Sequence, residues 1–419
     1  MSRDGYAARL ALCFGGGPEH DEPEHSLTPE SAAEEQAALA KRLLPPAWLT
    51  RAALLPSTLP TVYHTYKGKC LLPTGGGLAC AKSHAHEREI CANFSHPLRA
   101  PLSLASRALR LAKRLAHEPG WTLWRQADLT PELHRRLSLL QDFPSYASRC
   151  PCGAAKCSPL SVAKVDASQF FKGADPRRAY RRATRFFRRL TRDTGFDAVA
   201  VRRSQRAQGF LCSQQRKPSQ EFRIVSVQDI LRALAFSGAD NLCLLGGRVI
   251  RRVRGWPMGG AMSEPATLVD LGEDTLRLYS DPSTQRASGL LWPGVPIAAV
   301  VQGLQHVGDA LLASRIWCVA CLHRGLQRVW PSDCGTSLEE SGPVLRFLQA
   351  VVVVSPSGAV AVRPSFTNAP FAKGEALHPA KATLVPYMGP HVSSKSALRC
   401  YLFSKLLAFG VVATGQQHT

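Results

Sequence analysis

Asp166 is the residue whose setting most directly suggests chemistry. It follows Val162, Val165 and neighbouring apolar residues, which are typical of a short buried strand, and a carboxylate at a strand end is well placed to hold a divalent metal ion. Phe171, five residues later, would then lie beneath whatever the metal holds. The alternative is structural, with Asp166 capping a helix and Gln169 at the capping-box position.

Asp309 is a second candidate metal ligand. It lies between two apolar segments, residues 297–301 and 310–313, and Gly308-Asp309 suits the tight turn of a β-hairpin. An acidic group would then lie at the tip of a two-stranded ribbon. An ordinary turn aspartate is the alternative, because aspartate is common in turns.

Residues 256–263 have the composition of a loop that approaches a ligand. The pair Gly259-Gly260 allows close backbone approach, and Ser263 and Pro265 predict a helix that begins here and runs to about residue 278. The N-terminus of such a helix favours an anion. A glycine pair before a helix is a weak signal by itself, and its position after a basic segment raises its value.

Positive charge is concentrated in one part of the chain. The 419 residues include 52 Lys and Arg and 31 Asp and Glu. Residues 172–254 alone hold 20 of the basic residues but only six of the acidic ones. Eight arginines between Arg177 and Arg192 alternate with apolar residues at helical spacing, so one helix face can pack while the arginines reach phosphates. A solvated charged face is the alternative. The arginines predicted to bind nucleic acid are Arg177, Arg178, Arg181, Arg182, Arg185, Arg188 and Arg189.

Cysteine spacing raises the question of a structural zinc ion. Cys150, Cys152 and Cys157 lie within eight residues and are candidate ligands, whereas free thiols in loops are the alternative. Cys318 and Cys321 are interpreted as buried thiols on a helix rather than as a metal clamp. If zinc is bound, a looser earlier group could supply the fourth ligand, and this group consists of Cys70, Cys80, His84, His86 and Cys91.

In chain order, these segments resemble the palm of a reverse transcriptase from retroelements. Asp166 and Phe171 resemble the first palm motif, and residues 255–265 resemble the second, with Met258 in place of its glutamine. Residues 306–312 resemble the third motif, the aromatic-x-Asp-Asp hairpin. Two registers are open there, because either Gly308 or Asp309 can occupy the position of the first Asp.

The resemblance implies an α+β fold of the polymerase palm-and-fingers type, with an antiparallel sheet packed on helices and a thumb that is reduced or absent. It implies an RNA-directed DNA polymerase in which Asp166 and Asp309 hold Mg²⁺ or Mn²⁺ for a two-metal mechanism. Phe171 would select deoxynucleotides. The nucleotide pocket would be lined by Pro257, Met258, Gly259 and Ser263.

The implied partners are an RNA template, a DNA primer and dNTPs. An alternative is a catalytically inactive palm remnant that acts as a basic nucleic-acid-binding protein. A third interpretation is an unrelated protein that combines a cysteine-rich metal module with a basic helix. A central antiparallel sheet that carries both aspartates would exclude this third interpretation.

The chain divides into four predicted segments. Residues 1–47 are a flexible acidic lead with a short helix at 32–44, and residues 48–160 are a Cys/His-containing, fingers-like region. Residues 161–364 are the palm-like core with a basic insertion at 172–254, and residues 365–419 are a helical extension. Neither a signal peptide nor a membrane span is recognised, so we expect an intracellular protein, nuclear or cytoplasmic, with no membrane partner.

Overall fold

The computed structural model describes residues 22–23, 27–50, 56–66, 71–74, 77–80, 87–92, 96–204, 208–245, 247–348 and 350–364. The predictions of a C-terminal extension and of a reduced thumb fall on residues 365–419, outside the described residues. The helices are α1 Pro29–Leu43, α2 Pro46–Leu49, α3 Arg99–Leu115, α4 Leu129–Leu137, α5 Phe170–Gly173, α6 Pro176–Thr194, α7 Val227–Ala239, α8 Ser263–Ser280, α9 Pro282–Ser288, α10 Ile297–Val300 and α11 Val319–Val329.

Most strands pair in antiparallel sheets. In chain order they are β1 Glu22–Pro23, β2 Thr61–Tyr66, β3 Leu71–Thr74, β4 Gly77–Cys80, β5 Glu87–Ala92, β6 Ser161–Asp166, β7 Ala198–Arg202, β8 Gly209–Cys212, β9 Phe222–Ser226, β10 Leu242–Leu245, β11 Arg248–Arg251, β12 Gln302–His306, β13 Asp309–Ser314, β14 Ser337–Ser341, β15 Val344–Phe347, β16 Ala350–Val354 and β17 Val360–Pro364. The central sheet has the order β12-β13-β6-β14, and every pairing in it is antiparallel.

The central sheet separates two apolar cores. Alternate residues of a strand point to opposite faces, so Ala163 and Val165 of β6 join a core formed with α3, α6, α7 and α8. Val162 and Leu311 point the other way and pack against the sheet β15-β16-β17, for example against Phe347. Residues 161–165 of β6 are all buried, because neighbouring elements cover both faces of the strand.

Helix α6 carries the basic segment and packs on the first core. Asp175 accepts a hydrogen bond from the backbone N–H of Arg177 and caps the helix, and Gly195, with φ of 72°, ends it. The buried apolar side chains are Ala179, Ala183, Phe186, Phe187 and Leu190. They recur at helical spacing, so one side of a very basic helix is anchored in the protein.

The N-terminal lead is not flexible throughout. Residues 29–43 form α1, in which Ala32, Ala33 and Ala40 are buried, and Gln36 donates a hydrogen bond to Asp240 at 2.8 Å. The helix packs on α7 and on the sheet β1-β11-β10-β2-β5. This helix corresponds to the short helix predicted at residues 32–44, and its small alanine side chains at helical spacing allow close packing against neighbouring elements.

The predicted α+β class, with antiparallel sheets packed on helices, is confirmed. A central antiparallel sheet carries both Asp166 and Asp309, which excludes the interpretation as an unrelated metal module with a basic helix. Among the residues that the structure describes, no helix combines the length and the apolar character that a membrane span needs.

Candidate active site

The two candidate aspartates lie opposite each other at one end of the central sheet. Asp166 is the last residue of β6 and Asp309 the first of β13, and the two are direct partners in the antiparallel register. Directly opposed residues share a face of the sheet with Cβ atoms about 4.5–5.5 Å apart. Two residues 143 positions apart in the chain therefore present carboxylates to the same space.

Asp166 does not cap a helix. The short helix α5 begins at Phe170, and its N-cap is Gln169, without a side-chain capping bond. The next residue after Asp166, Ala167, donates its backbone N–H to the carbonyl of Gly308 at 2.9 Å, which ties the end of β6 to the hairpin turn. The alternative role proposed for Asp166 is therefore wrong.

The hairpin between β12 and β13 turns at Val307 and Gly308. His306 pairs with Asp309, and Val307 adopts a positive φ of 56°. A Cβ atom added to Gly308 would lie 3.4 Å from Oδ1 of Asp166 and would clash with nothing nearby. The turn thus places Gly308 beside Asp166, with space for a Cβ atom, whereas Asp309 faces Asp166 across the strand pair.

Lys164 is a site residue that the sequence prediction missed. Its ammonium lies 3.6 Å from Oδ1 of Asp309 and forms a second ion pair with Glu339 of β14. Burial disfavours its charge, but the hydrogen bond to Glu339 and the nearby carboxylates outweigh this effect, so the pKa of Lys164 is raised. A buried cation therefore already neutralises part of the charge of Asp309. The sequence did contain a signal for this residue, because Lys164 is two positions before Asp166 and alternate residues of a strand lie on the same face.

The residues predicted to line a nucleotide pocket form a tightly connected loop. The backbone N–H of Cys91 in β5 donates to the carbonyl of Met258 at 2.8 Å, and the hydroxyl of Ser263 donates to the carbonyl of Pro257 at 2.6 Å. Gly259 has φ of 105°, and a Cβ there would come within 2.8 Å of the Cys91 carbonyl oxygen. Glycine is required at this position because both the backbone conformation and the close approach exclude a side chain.

A cavity of 380 Å³ opens beside this loop. Pro257, Gly259 and Ser263, the first residue of α8, contribute to its wall, while Met258 is not among its lining residues. His96 and Asp240 line it from the other side, with Nε2 and Oδ2 3.8 Å apart. Burial lowers the pKa of His96 and raises that of Asp240, so both effects favour an uncharged pair.

Phe171 lies next to the same loop but is not a lining residue of the 380 Å³ cavity. Its carbonyl accepts a hydrogen bond from the backbone N–H of Trp256 at 2.9 Å, and its half-buried ring packs edge-to-face on Phe170. The contact with residue 256 connects the segment after Asp166 to the loop that resembles the second palm motif. These two segments are therefore held together by backbone geometry as well as by side chains.

The seven predicted phosphate-binding arginines fall on two faces of α6. Arg178, Arg182 and Arg189 point into the protein, and their acidic partners are concentrated on α8. Arg178 makes a bidentate contact with Asp270 and a 2.6 Å bond to Asp333, Arg182 a bidentate contact with Asp274, and Arg189 bonds to Glu273 and Glu118. The prediction of phosphate contacts is corrected for these three residues, because their guanidinium groups already have carboxylate partners.

The remaining predicted arginines are exposed. Arg177, Arg181, Arg185 and Arg188 are spaced by three or four residues and so form one outward stripe along α6. Among them, Arg181 has a loose contact with the exposed Asp175, at 3.6 Å. An exposed pair of this kind contributes little energy and leaves the guanidinium accessible.

The comparisons with known proteins find only remote likeness. No family model matches the chain, and no curated protein matches it. The chain is similar to telomerase from Candida albicans in complex with the TWJ fragment of telomeric RNA, with TM-score 0.43 and 13% identity over 86% of this chain and 54% of that chain. It therefore spans about half the length of that telomerase.

Two further solved structures are similar at the same level. Telomerase from Candida tropicalis with the TWJ fragment gives a TM-score of 0.44 and 12% identity, over 74% of this chain and 45% of that chain. The BmCPV RNA-dependent RNA polymerase at elongation state gives a TM-score of 0.37 and 11% identity, over 87% of this chain and 29% of that chain.

The buried arginines of α6 are expected to stabilise the fold. Asp270, Glu273 and Asp274 are almost fully buried, and burial raises the pKa of Asp274 to about 6 against the attraction of Arg182. Breaking a buried ion pair by removing one partner usually costs several kcal/mol, because an uncompensated charge is left in the interior. The two arginine faces of α6 should therefore respond differently to substitution.

We expect Arg182→Leu to lower the free energy of unfolding by about 3–5 kcal/mol, because Asp270 and Asp274 would lose a buried counter-charge. The matched control is Arg185→Leu on the exposed face of the same helix. This substitution should change the free energy of unfolding by less than about 0.5 kcal/mol. Urea unfolding followed by circular dichroism measures both. Equal effects of the two substitutions would contradict the assignment of the two faces.

The cysteines do not group as the sequence suggested. Cys157 is exposed and lies outside the group of four thiols that the structure brings together, which consists of Cys150, Cys152, Cys318 and Cys321. Cys91 is buried in β5. Cys70, His84, His86 and the side chain of Cys80 lie outside the described part of the chain. The correction has a physical reason, since the partner thiols come from a segment more than 160 residues away.

Proposed function

We propose that the chain is a reverse transcriptase of the retroelement type, which adds deoxynucleotides to a primer under the direction of an RNA template. The observation that carries the proposal is the direct register pairing of Asp166 with Asp309 at an open end of the central antiparallel sheet. The ordered motif resemblance supports the same assignment, and the sheet with its covering helices is then the palm.

The acidic pair has the donor chemistry that Mg²⁺ or Mn²⁺ requires. Carboxylate oxygens are the preferred ligands of these ions, and two opposed aspartates offer them to one space. Lys164 competes for Asp309, so the affinity for a cation is expected to be low. When bound, the ions would stabilise the charge that develops on the transferring phosphate. Asp166 and Asp309 supply the negative charge that holds the ions.

The incoming dNTP is proposed to bind at the loop of residues 257–263. The 380 Å³ cavity beside that loop begins at the N-terminus of α8, where backbone N–H groups favour phosphate. Phe171 is bonded to this loop through Trp256 and is proposed to select against a ribose 2′-hydroxyl. The Met258 side chain offers no hydrogen-bond donor where the family motif has glutamine, so substrate contacts there are expected to come from the backbone.

The template and primer are proposed to lie along α6. Beside the exposed stripe Arg177, Arg181, Arg185 and Arg188, a groove of 800 Å³ is also lined by two basic residues from another part of the chain, Arg252 and Arg254. Tyr180 also lines this groove and is 39% exposed, so it offers a ring for stacking. Guanidinium groups without buried partners are suited to bidentate phosphate contacts.

We expect replacement of Arg181, Arg185 and Arg188 by glutamine to weaken nucleic-acid binding and to reduce its dependence on salt. Each lost phosphate contact should lower the slope of log K against log [salt] by about 0.7–0.9. Fluorescence anisotropy with a labelled RNA–DNA hybrid at several salt concentrations measures the slope. The control is glutamine at Arg324 and Arg328 on α11, neither of which lines the proposed groove. A slope that does not change in the triple variant would contradict the proposed interface.

A catalytically inactive palm that binds nucleic acid is the second candidate function. Two observations favour it: Gly308 provides no carboxylate beside Asp166, and the ammonium of Lys164 lies against Asp309. In this case the basic groove would keep its role, whereas the acidic pair would hold no catalytic ion. The two candidates share the fold and the binding surface and differ only in turnover.

Primer extension distinguishes the two functions. The purified full chain is incubated with an annealed RNA template, a labelled DNA primer, dNTPs and either Mg²⁺ or Mn²⁺. Addition of nucleotides in the order set by the template supports the polymerase. Binding of the hybrid without any extension, in both metals, would leave the inactive binder as the function.

A further inference from the structure

Four cysteines from two distant segments converge at one place. Cys150 and Cys152 belong to the loop before β6, whereas Cys318 and Cys321 belong to the start of α11. All four Sγ atoms lie within 4.8 Å of one another, with Cys150 3.9 Å from Cys321 and Cys152 3.8 Å from Cys318. Cys150 and Cys318 are buried, Cys321 is half-buried and Cys152 is exposed.

We propose that these four thiolates bind one structural Zn²⁺ ion. Tetrahedral zinc with Zn–S bonds near 2.3 Å places its sulfur ligands about 3.8 Å apart, which is close to the two distances above. A disulfide needs sulfur atoms about 2.05 Å apart, so the observed spacing does not correspond to a pair of disulfides. An all-sulfur tetrahedral set of this kind selects zinc, with iron as the main competitor.

The first pair of ligands is presented by a tight hairpin. The backbone N–H of Cys150 donates to Ala154 and that of Gly153 donates to Cys150, both at 2.8 Å. Gly153 has φ of 87°, which favours glycine and allows the chain to reverse directly after Cys152. The thiols of Cys150 and Cys152 are therefore brought to one side by backbone hydrogen bonds rather than by a flexible loop.

The second pair lies at the N-terminus of α11. The hydroxyl of Ser314 accepts hydrogen bonds from the backbone N–H groups of Ile316 and Trp317, which turns the chain from β13 into the helix. Cys318 is the N-cap and Cys321 lies in the first turn, so a C-x2-C pair projects from the helix start. The backbone N–H of Cys318 also points to Sγ of Cys150 at 3.3 Å. Such N–H···S contacts stabilise metal-bound thiolates.

Lys156 supplies positive charge beside the site. Its ammonium donates to the carbonyls of Tyr146, Pro159 and Arg315, at 2.7–2.9 Å, and so bridges the hairpin segment and the segment after β13. It interacts electrostatically with Cys150 and Cys318. Four thiolates around Zn²⁺ carry excess negative charge, and a fixed ammonium with the positive end of the α11 dipole offsets part of it.

The zinc site would fasten the end of the strand pair that lies opposite the acidic end. Ser161 and Ser314 are register partners at one end of β6 and β13, and Asp166 and Asp309 are partners at the other. Five steps along a strand span about 17 Å, so the ion would be too far away to contact substrate at the aspartates. Its role is to hold the two strands in register through the segments that enter and leave them.

The test measures bound metal in the purified full chain by inductively coupled plasma mass spectrometry after dialysis against EDTA. One zinc per chain is expected for the wild type, and Cys152→Ser should lose it. Cys152→His should retain zinc, because three thiolates and one imidazole form a common structural set. Cys157→Ser is the matched control and should keep its zinc, since that thiol is exposed and outside the group. Cobalt substitution should give the thiolate charge-transfer bands of a tetrahedral site in the wild type but not in Cys152→Ser.

Three outcomes would overturn the proposal: iron in place of zinc, a zinc content that Cys152→Ser leaves unchanged, or a disulfide between these cysteines found by intact mass analysis. If Cys152→Ser fails to fold, Cys152→His and the wild type still decide the result. None of these measurements depends on polymerase activity, so the zinc site and the proposed function are tested separately.

Discussion

Asp166→Asn is expected to reduce template-directed nucleotide addition by about 10³-fold or more. Asparagine keeps the size of the side chain but removes the charge that, with Asp309, would hold the catalytic ions. Metal ions contribute several kcal/mol to stabilisation of a phosphoryl-transfer transition state, and each 1.36 kcal/mol corresponds to about tenfold in rate. The measurement is the single-nucleotide addition rate on an RNA-templated DNA primer under saturating dNTP.

Asp193→Asn is a suitable control for this experiment. Asp193 is exposed near the end of α6, and its contact is a surface ion pair with Arg192, so its replacement should leave the addition rate unchanged. Hybrid binding should be similar in both variants and in the wild type, because neither carboxylate belongs to the proposed basic groove. A wild-type rate in Asp166→Asn would disprove the assignment of Asp166 as a metal ligand.

Gly308→Asp is expected to tighten Mg²⁺ binding by at least about tenfold. Gly308 has φ outside the left-handed region, and a Cβ there would meet only ordinary contacts, the nearest at 3.4 Å from Oδ1 of Asp166. A further carboxylate beside the acidic pair adds a negative charge within about 4 Å of the ion, which is worth up to about 4 kcal/mol near a protein surface. Isothermal titration calorimetry with Mg²⁺ measures the change.

Gly308→Asn separates charge from size in this test, because it adds a similar side chain without a charge. The aspartate variant should also lose thermal stability in EDTA and regain it with Mg²⁺, since two close carboxylates repel each other until a cation lies between them. The asparagine variant should show neither effect. Equal Mg²⁺ affinities of the two variants would argue against a cation site at Asp166.

Local features of the fold were predictable from the sequence. The basic helix predicted from the helical spacing between Arg177 and Arg192 was observed at Pro176–Thr194, and the helix predicted from Ser263 to about residue 278 was observed at Ser263–Ser280. The hairpin with Asp309 near its tip was also predicted and is observed as β12 and β13. Apolar periodicity, caps and turn residues act over a few positions, so they are written directly into the local sequence.

Pairings between distant segments were not predictable in the same way. Helical spacing predicted that the arginines of α6 reach phosphates, but the tertiary structure assigned Arg178, Arg182 and Arg189 to carboxylates of Asp270, Asp274 and Glu273 on α8. The net charge of residues 172–254 therefore overstates the number of arginines available to phosphate, because part of that charge is neutralised by acidic residues from outside the segment.

The sequence by itself determined the elements that carry the candidate site and the two aspartates within them. Only the tertiary structure decided that Asp309 faces Asp166, that Lys164 lies against Asp309, and that Cys318 and Cys321 meet Cys150 and Cys152. The physical reason is that strand register and thiol convergence depend on packing between segments more than 100 residues apart, for which one sequence contains no local signal.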